Sequence, residues 1–272
     1  MIAFIADSSF DMPNVKTKYP IFFTPLRVII DGKEFVDKVN LTVDQFYDML
    51  KDAEDFSTSL PNPKETEELI KKLYDEYDKI YMLSVSSKLS GTFNMFQMVS
   101  QNFKDKVKVL DLKTASIESY AIFRKLVEYA EKDIELTQDI VDKIRKNLKM
   151  YFAVMDLKYL EKGGRIGKAK ALLGKMLKIK PILSVDETGA VESIAMERKL
   201  SSLVNKLIEL GESFLKEHKI SDPYFLAAYG SKEYKKYIDR LMQHFNIKDI
   251  TQISAAVGIH TGPEVFGFVV SS

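Results

Sequence analysis

The stretch KIYMLSVSSKLSGTF, residues 79–93, decides the fold of this chain. Its first part, residues 79–85, is largely apolar and partly β-branched, which is typical of a parallel strand that is buried on both faces. A hydroxyl-rich turn, residues 86–92, follows, and the sequence predicts that it leads into a helix capped by Ser90. A strand that enters a helix through a short turn is the repeating unit of an α/β protein.

The same turn has the chemistry of an anion site. The free N–H groups and the positive dipole end of a helix N-terminus stabilise a carboxylate or a phosphate. The hydroxyls of Ser87, Ser90 and Thr92 add donors. An ordinary helix cap explains the same residues, and for the turn taken alone that is the more common case.

Composition excludes several classes of site and partner. Forty Lys and Arg against 39 Asp and Glu leave a formal charge of +1, which removes the bulk electrostatic argument for nucleic-acid binding. The chain has no cysteine, so disulfides, thiolate metal sites and cysteine nucleophiles are excluded. The three histidines, His218, His244 and His260, lack metal-ligand spacing, and we expect neither a metal nor a cofactor.

The first seven residues, MIAFIAD, predict a core strand rather than a secretion signal, because no basic front or long apolar stretch is present. No segment approaches the ~20 apolar residues that span a bilayer. We therefore expect a cytoplasmic protein.

Strand-like and helix-like segments alternate along the chain and predict two α/β domains, over 1–150 and 151–272. The first has strands near 2–6, 21–30, 79–85 and 106–110 and helices near 42–51, 63–76, 92–103, 115–131 and 137–148. The second has strands near 179–185, 190–196, 223–229 and 264–270 and helices near 201–217 and 231–243. We expect a mainly parallel sheet flanked by helices in the first domain and a mixed sheet in the second.

Local signals support particular elements of this prediction. Thr42 with Gln45 forms a capping box, and Asn62 before Pro63 marks a second helix start, where Glu65 would complete another box. The segment 186–189, DETG, predicts a hairpin turn between two strands.

Polar residues also occur where a parallel sheet commonly binds its ligand. Asp7-Ser8-Ser9 follows the first strand, at the carboxyl edge of the sheet. Thr58 and Ser59 precede the helix that begins at Pro63. Each motif alone is an ordinary turn or cap. Two hydroxyl-rich loops that both enter helices could nevertheless converge on one anion.

Two glycine-containing motifs lie in the second half of the chain. In GIHTGP, residues 258–263, the glycines and the proline favour a positioned imidazole at His260, although a lone histidine is more often structural. In GGRI, residues 163–166, the glycines break the chain so that Arg165 is presented. The helix predicted next has an apolar face, formed by Ala169, Ala171, Leu172, Leu173, Met176 and Leu177 and edged by Lys168, Lys170, Lys175 and Lys178. That face is either core or the wall of an apolar tunnel whose basic rim meets an acidic partner or a membrane surface.

The ordered set of motifs resembles the DegV family across almost the whole chain. The motifs are DSS at 7–9, TSLP at 58–61, SSKLSGT at 86–92, GGRI at 163–166, KPIL at 180–183 and HTGP at 260–263. The resemblance implies a two-domain α/β protein that buries one long-chain fatty acid between its domains and catalyses no reaction itself. In members of the fatty acid kinase type, it implies that a separate ATP-dependent kinase converts the presented acid to an acyl phosphate.

The resemblance also implies roles for individual residues. The carboxylate contacts fall on Thr58 and Ser90, with His260 in the same polar network. Arg165 matches an arginine for which contact with the kinase is expected. The supporting pocket residues are Ser8, Ser59, Gly91, Thr92 and Thr261.

Two other functions remain open from the residues. One is an esterase or acyl transferase in which Ser90 is the nucleophile and His260 the base, although the nucleophile-elbow sequence and an acid partner for His260 are lacking. The other is a binder of phosphate esters or nucleic acid that uses the lysines after Arg165, against which stand the near-zero net charge and the lack of a phosphate-loop pattern.

Overall fold

The computed structural model describes residues 1–175 and 179–272 and arranges their strands in three sheets. The strands are β1 (Ile2–Asp7), β2 (Ile21–Thr24), β3 (Arg27–Ile30), β4 (Lys33–Val36), β5 (Phe56–Ser59), β6 (Lys79–Ser84), β7 (Val107–Asp111), β8 (Leu148–Val154), β9 (Lys180–Val185), β10 (Val191–Glu197), β11 (Tyr224–Tyr229), β12 (Asp249–Gln252) and β13 (Val265–Ser271). The α-helices are α1 (Val43–Asp52), α2 (Pro63–Tyr74), α3 (Thr92–Val99), α4 (Ile117–Ala130), α5 (Gln138–Arg145), α6 (Lys158–Lys162), α7 (Leu200–Glu217), α8 (Lys235–Phe245) and α9 (Ala255–Thr261). Short 3₁₀-helices cover Gln101–Phe103, Gly167–Lys175 and Lys232–Tyr234.

The first sheet is parallel throughout, with strand order β2-β1-β6-β7, which confirms the predicted parallel sheet. Successive side chains of β6 face opposite ways. Tyr81 and Leu83 join the apolar cluster that contains α4, whereas Ile80 and Met82 join the cluster formed with α2 and α3. Because helices cover both faces of β6, its residues 80–83 are apolar on both faces, as the opening sequence indicated.

The second sheet is mixed, as predicted, with strand order β10-β9-β8-β13-β11-β12. Only β11 and β12 pair in parallel, and the other neighbours are antiparallel. The turn at 186–189 joins β9 to β10 and confirms the predicted hairpin.

A third, antiparallel sheet with order β4-β3-β5 was not predicted. The apolar run at 21–30 was expected to be one strand but forms β2 and β3, which belong to different sheets. Pro25 lies between them and lacks the N–H that would continue a ladder. The segment 57–59 was expected to be a loop but lies in β5, and β12 was also missed.

Helix starts follow the sequence closely, with some corrections. Thr42 and Gln45 form the full capping box. Asn62 caps α2, but the side chain of Glu65 pairs with Arg27 rather than returning to the cap. Gly91, not Ser90, occupies the cap position of α3, although the Ser90 hydroxyl accepts from the Thr92 amide at 3.2 Å.

The segment after Arg165 is a 3₁₀-helix, not the expected α-helix. Ala169 and Leu172 are buried in the main apolar cluster, while Lys168 and Lys170 are exposed, and Lys168 pairs with Asp186 at 2.6 Å. Residues 176–178, which include Met176, Leu177 and Lys178 of the predicted apolar face and basic edge, lie outside the described residues, as does the side chain of Lys175.

The main apolar cluster draws residues from both halves of the chain, including Phe4 and Tyr81 from the first and Phe152 and Val265 from the second. The domain boundary near residue 150 therefore stays a prediction. None of the helices in the described part of the chain combines the length and apolar character that a membrane span requires.

Candidate functional site

A cavity lies where the carboxyl edge of the parallel sheet meets one face of the mixed sheet. It encloses about 890 Å³ of space free of protein atoms, a volume that includes space open to solvent. Val85, Leu89 and Ile117 line it from the first half, and Met150, Phe152 and Ala228 from strands of the mixed sheet. Most of the remaining lining is also apolar.

The polar lining residues come from distant parts of the chain, and they include Thr58, Ser90, Arg165, His260 and Thr261, all predicted from the sequence. Thr58 lies on β5, Ser90 in the turn before α3, Arg165 after α6, and His260 and Thr261 on α9. The fold thus brings five of the nine predicted residues to one cavity.

Thr58 and His260 are in direct contact, although 202 residues separate them in sequence. The Thr58 hydroxyl lies 2.9 Å from His260 Nε2. The other ring nitrogen, Nδ1, is buried and has no hydrogen-bond partner among the described residues. Burial, together with the nearby Arg165 guanidinium, lowers the pKa of His260 to about 3, so the imidazole is neutral near pH 7.

Arg165 is the one charged side chain that lines the cavity in the part of the chain that the structure describes. Its Nε donates to the carbonyl of Leu89 at 2.9 Å, and its Nη1 donates to the carbonyl of Gly163. Partial burial lowers the pKa of Arg165, but an arginine remains protonated at neutral pH. No described carboxylate forms a salt bridge with it, so a positive charge faces the cavity without a protein counter-charge.

Ser90 is held from within its own turn. Its hydroxyl lies 2.9 Å from Thr92 Oγ1 and accepts from the Thr92 amide. Thr92 is fully buried and does not line the cavity, so it supports Ser90 from behind. Gly91 is exposed, has an ordinary negative φ of −76° and also lies outside the lining.

Two predicted supporting residues point away from the cavity. Ser59 is exposed, because successive side chains of β5 face opposite ways and Thr58 faces inward. Ser8 is fully buried, and its hydroxyl accepts from the Leu26 amide at 3.1 Å. The alternation of side chains along a strand over 56–59 distinguishes Thr58 from Ser59, whereas the predicted loop does not.

Ser9 and Ser116 line the cavity and were not predicted as site residues. Asp7 orients Ser9, since its Oδ1 accepts from the Ser9 amide at 2.9 Å and from the Ser9 hydroxyl at 2.5 Å. The Ser116 hydroxyl donates to the buried Asp11 at 2.7 Å. Nothing in the motif Asp7-Ser8-Ser9 distinguishes its two serines, and no sequence signal marks Ser116.

The arrangement suits binding better than nucleophilic catalysis. No hydrogen bond joins Ser90 to His260 within residues 1–175 and 179–272, because His260 Nε2 is paired with Thr58 and the Ser90 hydroxyl with Thr92. The lowered pKa of His260 also makes the imidazole a weak base. The described structure therefore lacks the serine–histidine hydrogen bond that would activate Ser90 as a nucleophile.

Comparison with known proteins places the chain in a family. The model of the family described as "Uncharacterised protein, DegV family" matches residues 1–272. A DegV domain-containing protein of Clostridium acetobutylicum is 34% identical over 276 residues, which cover 99% of this chain and 98% of that protein.

Solved structures share the fold over their full lengths. A Thermus thermophilus DegV family protein, described as binding fatty acid, has a TM-score of 0.88 at 24% identity and covers 100% of this chain and 99% of its own. The Streptococcus pneumoniae Fatty Acid Kinase (Fak) B3 protein, loaded with linoleic acid, has a TM-score of 0.76 at 19% identity and covers 99% of each chain. The full-length family match and the identity to the clostridial relative show that this chain belongs to the DegV family.

Proposed function

We propose that this protein binds one long-chain fatty acid in the cavity, with its carboxylate at Thr58, Ser90 and Arg165 and with His260 in the same polar network, and presents that carboxylate to a separate kinase. The observation that carries the proposal is the charge of the lining, which, among the described residues, combines one cation without a salt-bridge partner with several hydroxyls and an apolar wall. A ligand that matches this lining has one negative charge at one end and is apolar elsewhere. A fatty acid has that structure.

The head-group end can satisfy a buried carboxylate. Moving a carboxylate out of water without donors is very unfavourable, so it requires charge-assisted hydrogen bonds at its destination. Thr58 can supply one of them without losing His260, because a hydroxyl donates one hydrogen bond while it accepts others. In that arrangement the proton of His260 lies on Nε2 and is donated to Thr58, and the unpartnered Nδ1 carries the lone pair.

The positive charge of Arg165 attracts the carboxylate of the ligand electrostatically. Its Nε and Nη1 are engaged by the carbonyls of Leu89 and Gly163, which leaves Nη2 with no partner among the described residues. Because these two carbonyls hold the guanidinium in place, its charge is oriented before a ligand arrives. We propose this role for Arg165 inside the cavity, and its predicted contact with the kinase stays a prediction.

The apolar remainder of the cavity accounts for a long tail. Each buried methylene contributes ~0.8 kcal/mol, so a long acyl chain contributes on the order of 10 kcal/mol before the cost of association. The tail would lie against the face of the mixed sheet that presents Met150, Phe152 and Ala228. The tail therefore supplies most of the affinity, and the polar end selects for an acid.

Presentation to a kinase is supported by the description of the pneumococcal structure as a Fatty Acid Kinase B3 protein. Phosphoryl transfer needs one carboxylate oxygen that is free to attack. Hydroxyl donors at Thr58 and Ser90 can hold a carboxylate while one oxygen stays open, whereas a bidentate arginine would engage both. The proposal assigns no catalytic turnover to this chain and requires no cofactor beyond the bound acid.

Native mass spectrometry tests the binding part. We expect protein purified without detergent to carry a mass equal to one long-chain fatty acid, or to take up added stearate with one-to-one stoichiometry. Ala228→Leu, which adds volume to the apolar wall, should weaken stearate binding and spare an acid with a short chain. A ligand-free protein that refuses stearate would exclude the proposed function, and equal loss of both acids in the variant would place the tail elsewhere.

Incubation with ATP tests the presentation part. The loaded protein alone should form no acyl phosphate, and addition of a fatty acid kinase catalytic subunit from the source organism should produce it, trapped as the hydroxamate. Formation of acyl phosphate by this chain alone would contradict the assignment as a binding subunit.

A further inference from the structure

The adjacent Gly163 and Gly164 differ in their need to be glycine. Gly164 has a φ of +70°, a left-handed conformation that residues with a Cβ rarely adopt. Gly163 has φ −72° and ψ −10°, an ordinary right-handed conformation that any residue can take. Backbone geometry thus explains Gly164 but not Gly163.

The imidazole of His260 explains Gly163. A Cβ at this position would lie 2.2 Å from His260 Nδ1 and 3.1 Å from its Cε1. Non-bonded heavy atoms of this kind are attracted at separations of about 3.5–4.0 Å and repel strongly at 2.2 Å. The ring therefore occupies the space that any side chain at residue 163 would need.

The contact is reciprocal between α6 and α9. Gly163 ends α6, and the ring of His260 from α9 packs against it. Gly262 ends α9, and a Cβ there would lie 2.4 Å from Cδ2 of Tyr159 on α6. Each helix thus receives a ring from the other at a glycine. Packing of this kind leaves little freedom for the ring of His260, which keeps Nε2 directed at Thr58.

Gly163 also contacts the cation of the site, because its carbonyl accepts from Nη1 of Arg165. One residue therefore lies against the imidazole through its Cα and against the guanidinium through its oxygen. We propose that Gly163 is a positioning residue of the anion site, which sets the place of His260 beside Thr58 and orients Arg165 toward the cavity. The ligand-binding consequence rests on the proposed function, whereas the position of the ring does not.

The paired variants Gly163→Ala and Gly164→Ala separate this role from general stability. Alanine at 163 is compatible with the backbone but overlaps His260. Alanine at 164 is strained by φ, but among the described residues beyond its chain neighbours no atom lies within 4 Å of its Cβ. We expect Gly164→Ala to lower the Tm by roughly 2–4 °C and to leave the site unchanged. Gly163→Ala should displace the His260 ring and weaken stearate binding by about 10- to 100-fold.

NMR of the ligand-free protein reports the ring directly. In Gly163→Ala, the His260 ring resonances should shift and the ring should titrate at a higher pH than in the wild type, because it leaves its buried position beside Thr58. In Gly164→Ala, both should match the wild type. These readouts do not depend on a ligand, so they remain informative even where stearate binding fails in the wild type.

A His260→Ala background completes the test. If Gly163 acts through the ring, adding Gly163→Ala to His260→Ala changes neither the Tm nor the remaining affinity. If Gly163→Ala alone does not fold, the double variant with His260→Ala should fold, because the overlapping ring is gone. Unchanged ring resonances together with wild-type stearate affinity in Gly163→Ala overturn the proposal. A Gly163→Ala effect that persists in full without His260 also overturns it.

Discussion

Thr58→Val is the substitution that isolates the head-group hydroxyl most cleanly. Valine has nearly the shape of threonine and suits the strand β5, so the change removes one hydroxyl and little packing. That hydroxyl is the partner of His260 Nε2 at 2.9 Å, and Nδ1 of the same ring already lacks a partner among the described residues. The variant therefore leaves the imidazole without any hydrogen bond from the described chain.

The expected effect of Thr58→Val has two parts, a loss of folding stability and a loss of binding free energy. In the ligand-free protein, a buried ring nitrogen left without its partner costs about 1–3 kcal/mol of the free energy of unfolding. In the complex, loss of one hydrogen bond to a carboxylate costs about 1.5–3 kcal/mol of binding free energy. The second loss corresponds to an increase in the Kd for stearate of about 10- to 150-fold.

The assay is titration of delipidated protein with stearate, paired with chemical denaturation of the ligand-free protein. Ser57→Ala is the matched control, because Ser57 lies on the same strand but is exposed on the face opposite Thr58. Adding Ser90→Ala to Thr58→Val should weaken binding further, though by less than the sum of the two single effects, since both hydroxyls serve one carboxylate. Stearate affinity that is equal in wild type, Thr58→Val and the double variant would refute the head-group assignment.

Two predictions concern pH. Because the pKa of His260 falls from 6.5 to about 3 on folding, the unfolded chain binds a proton between these values that the folded protein does not, so stability is lost as the pH falls through that window. Denaturation from pH 7 to pH 4 should show this slope in wild type and a smaller slope in His260→Ala, and equal slopes would contradict a buried neutral imidazole. Asp37 behaves in the opposite way, since burial raises the pKa of its carboxyl from 3.8 to about 6, and its contribution to stability is lost as the pH rises through about 6. Asp37→Asn should therefore raise the Tm at pH 7.5 more than at pH 4, with the exposed Asp52→Asn as control, and a lower Tm at pH 7.5 would show that the charged form is needed.

Much of the architecture was predictable because its signals are local. The apolar residues 80–83 are buried on both faces of β6, the capping residues Thr42 and Asn62 begin α1 and α2, and DETG at 186–189 joins β9 to β10. Each signal depends on residues within a few positions of one another. The prediction of one strand over 21–30 is wrong because chain continuity does not reveal that β2 and β3 enter different sheets.

Local hydroxyl and glycine motifs, together with the resemblance carried by their order, led to Thr58, Ser90 and His260, and the structure places all three at one cavity. The supporting residues were less predictable, because the side a residue faces depends on the strand or turn that carries it. Ser59 faces outward on β5, and Ser8 is buried where Ser9 reaches the cavity. A one-residue step reverses the direction of a side chain on a strand, which a motif does not record.

The sequence by itself determined the α/β architecture and singled out the turn at 86–92 and the other candidate polar residues, since these follow from short-range periodicity, caps and motifs. The tertiary structure decided that Thr58 and His260, 202 residues apart in sequence, are in contact, and that Arg165 faces the cavity without a described counter-charge. It also decided that the His260 ring occupies the space of a Cβ at residue 163. The physical reason is that burial, charge pairing and close packing are properties of neighbours in space. Those neighbours are set only when the helices and sheets pack together.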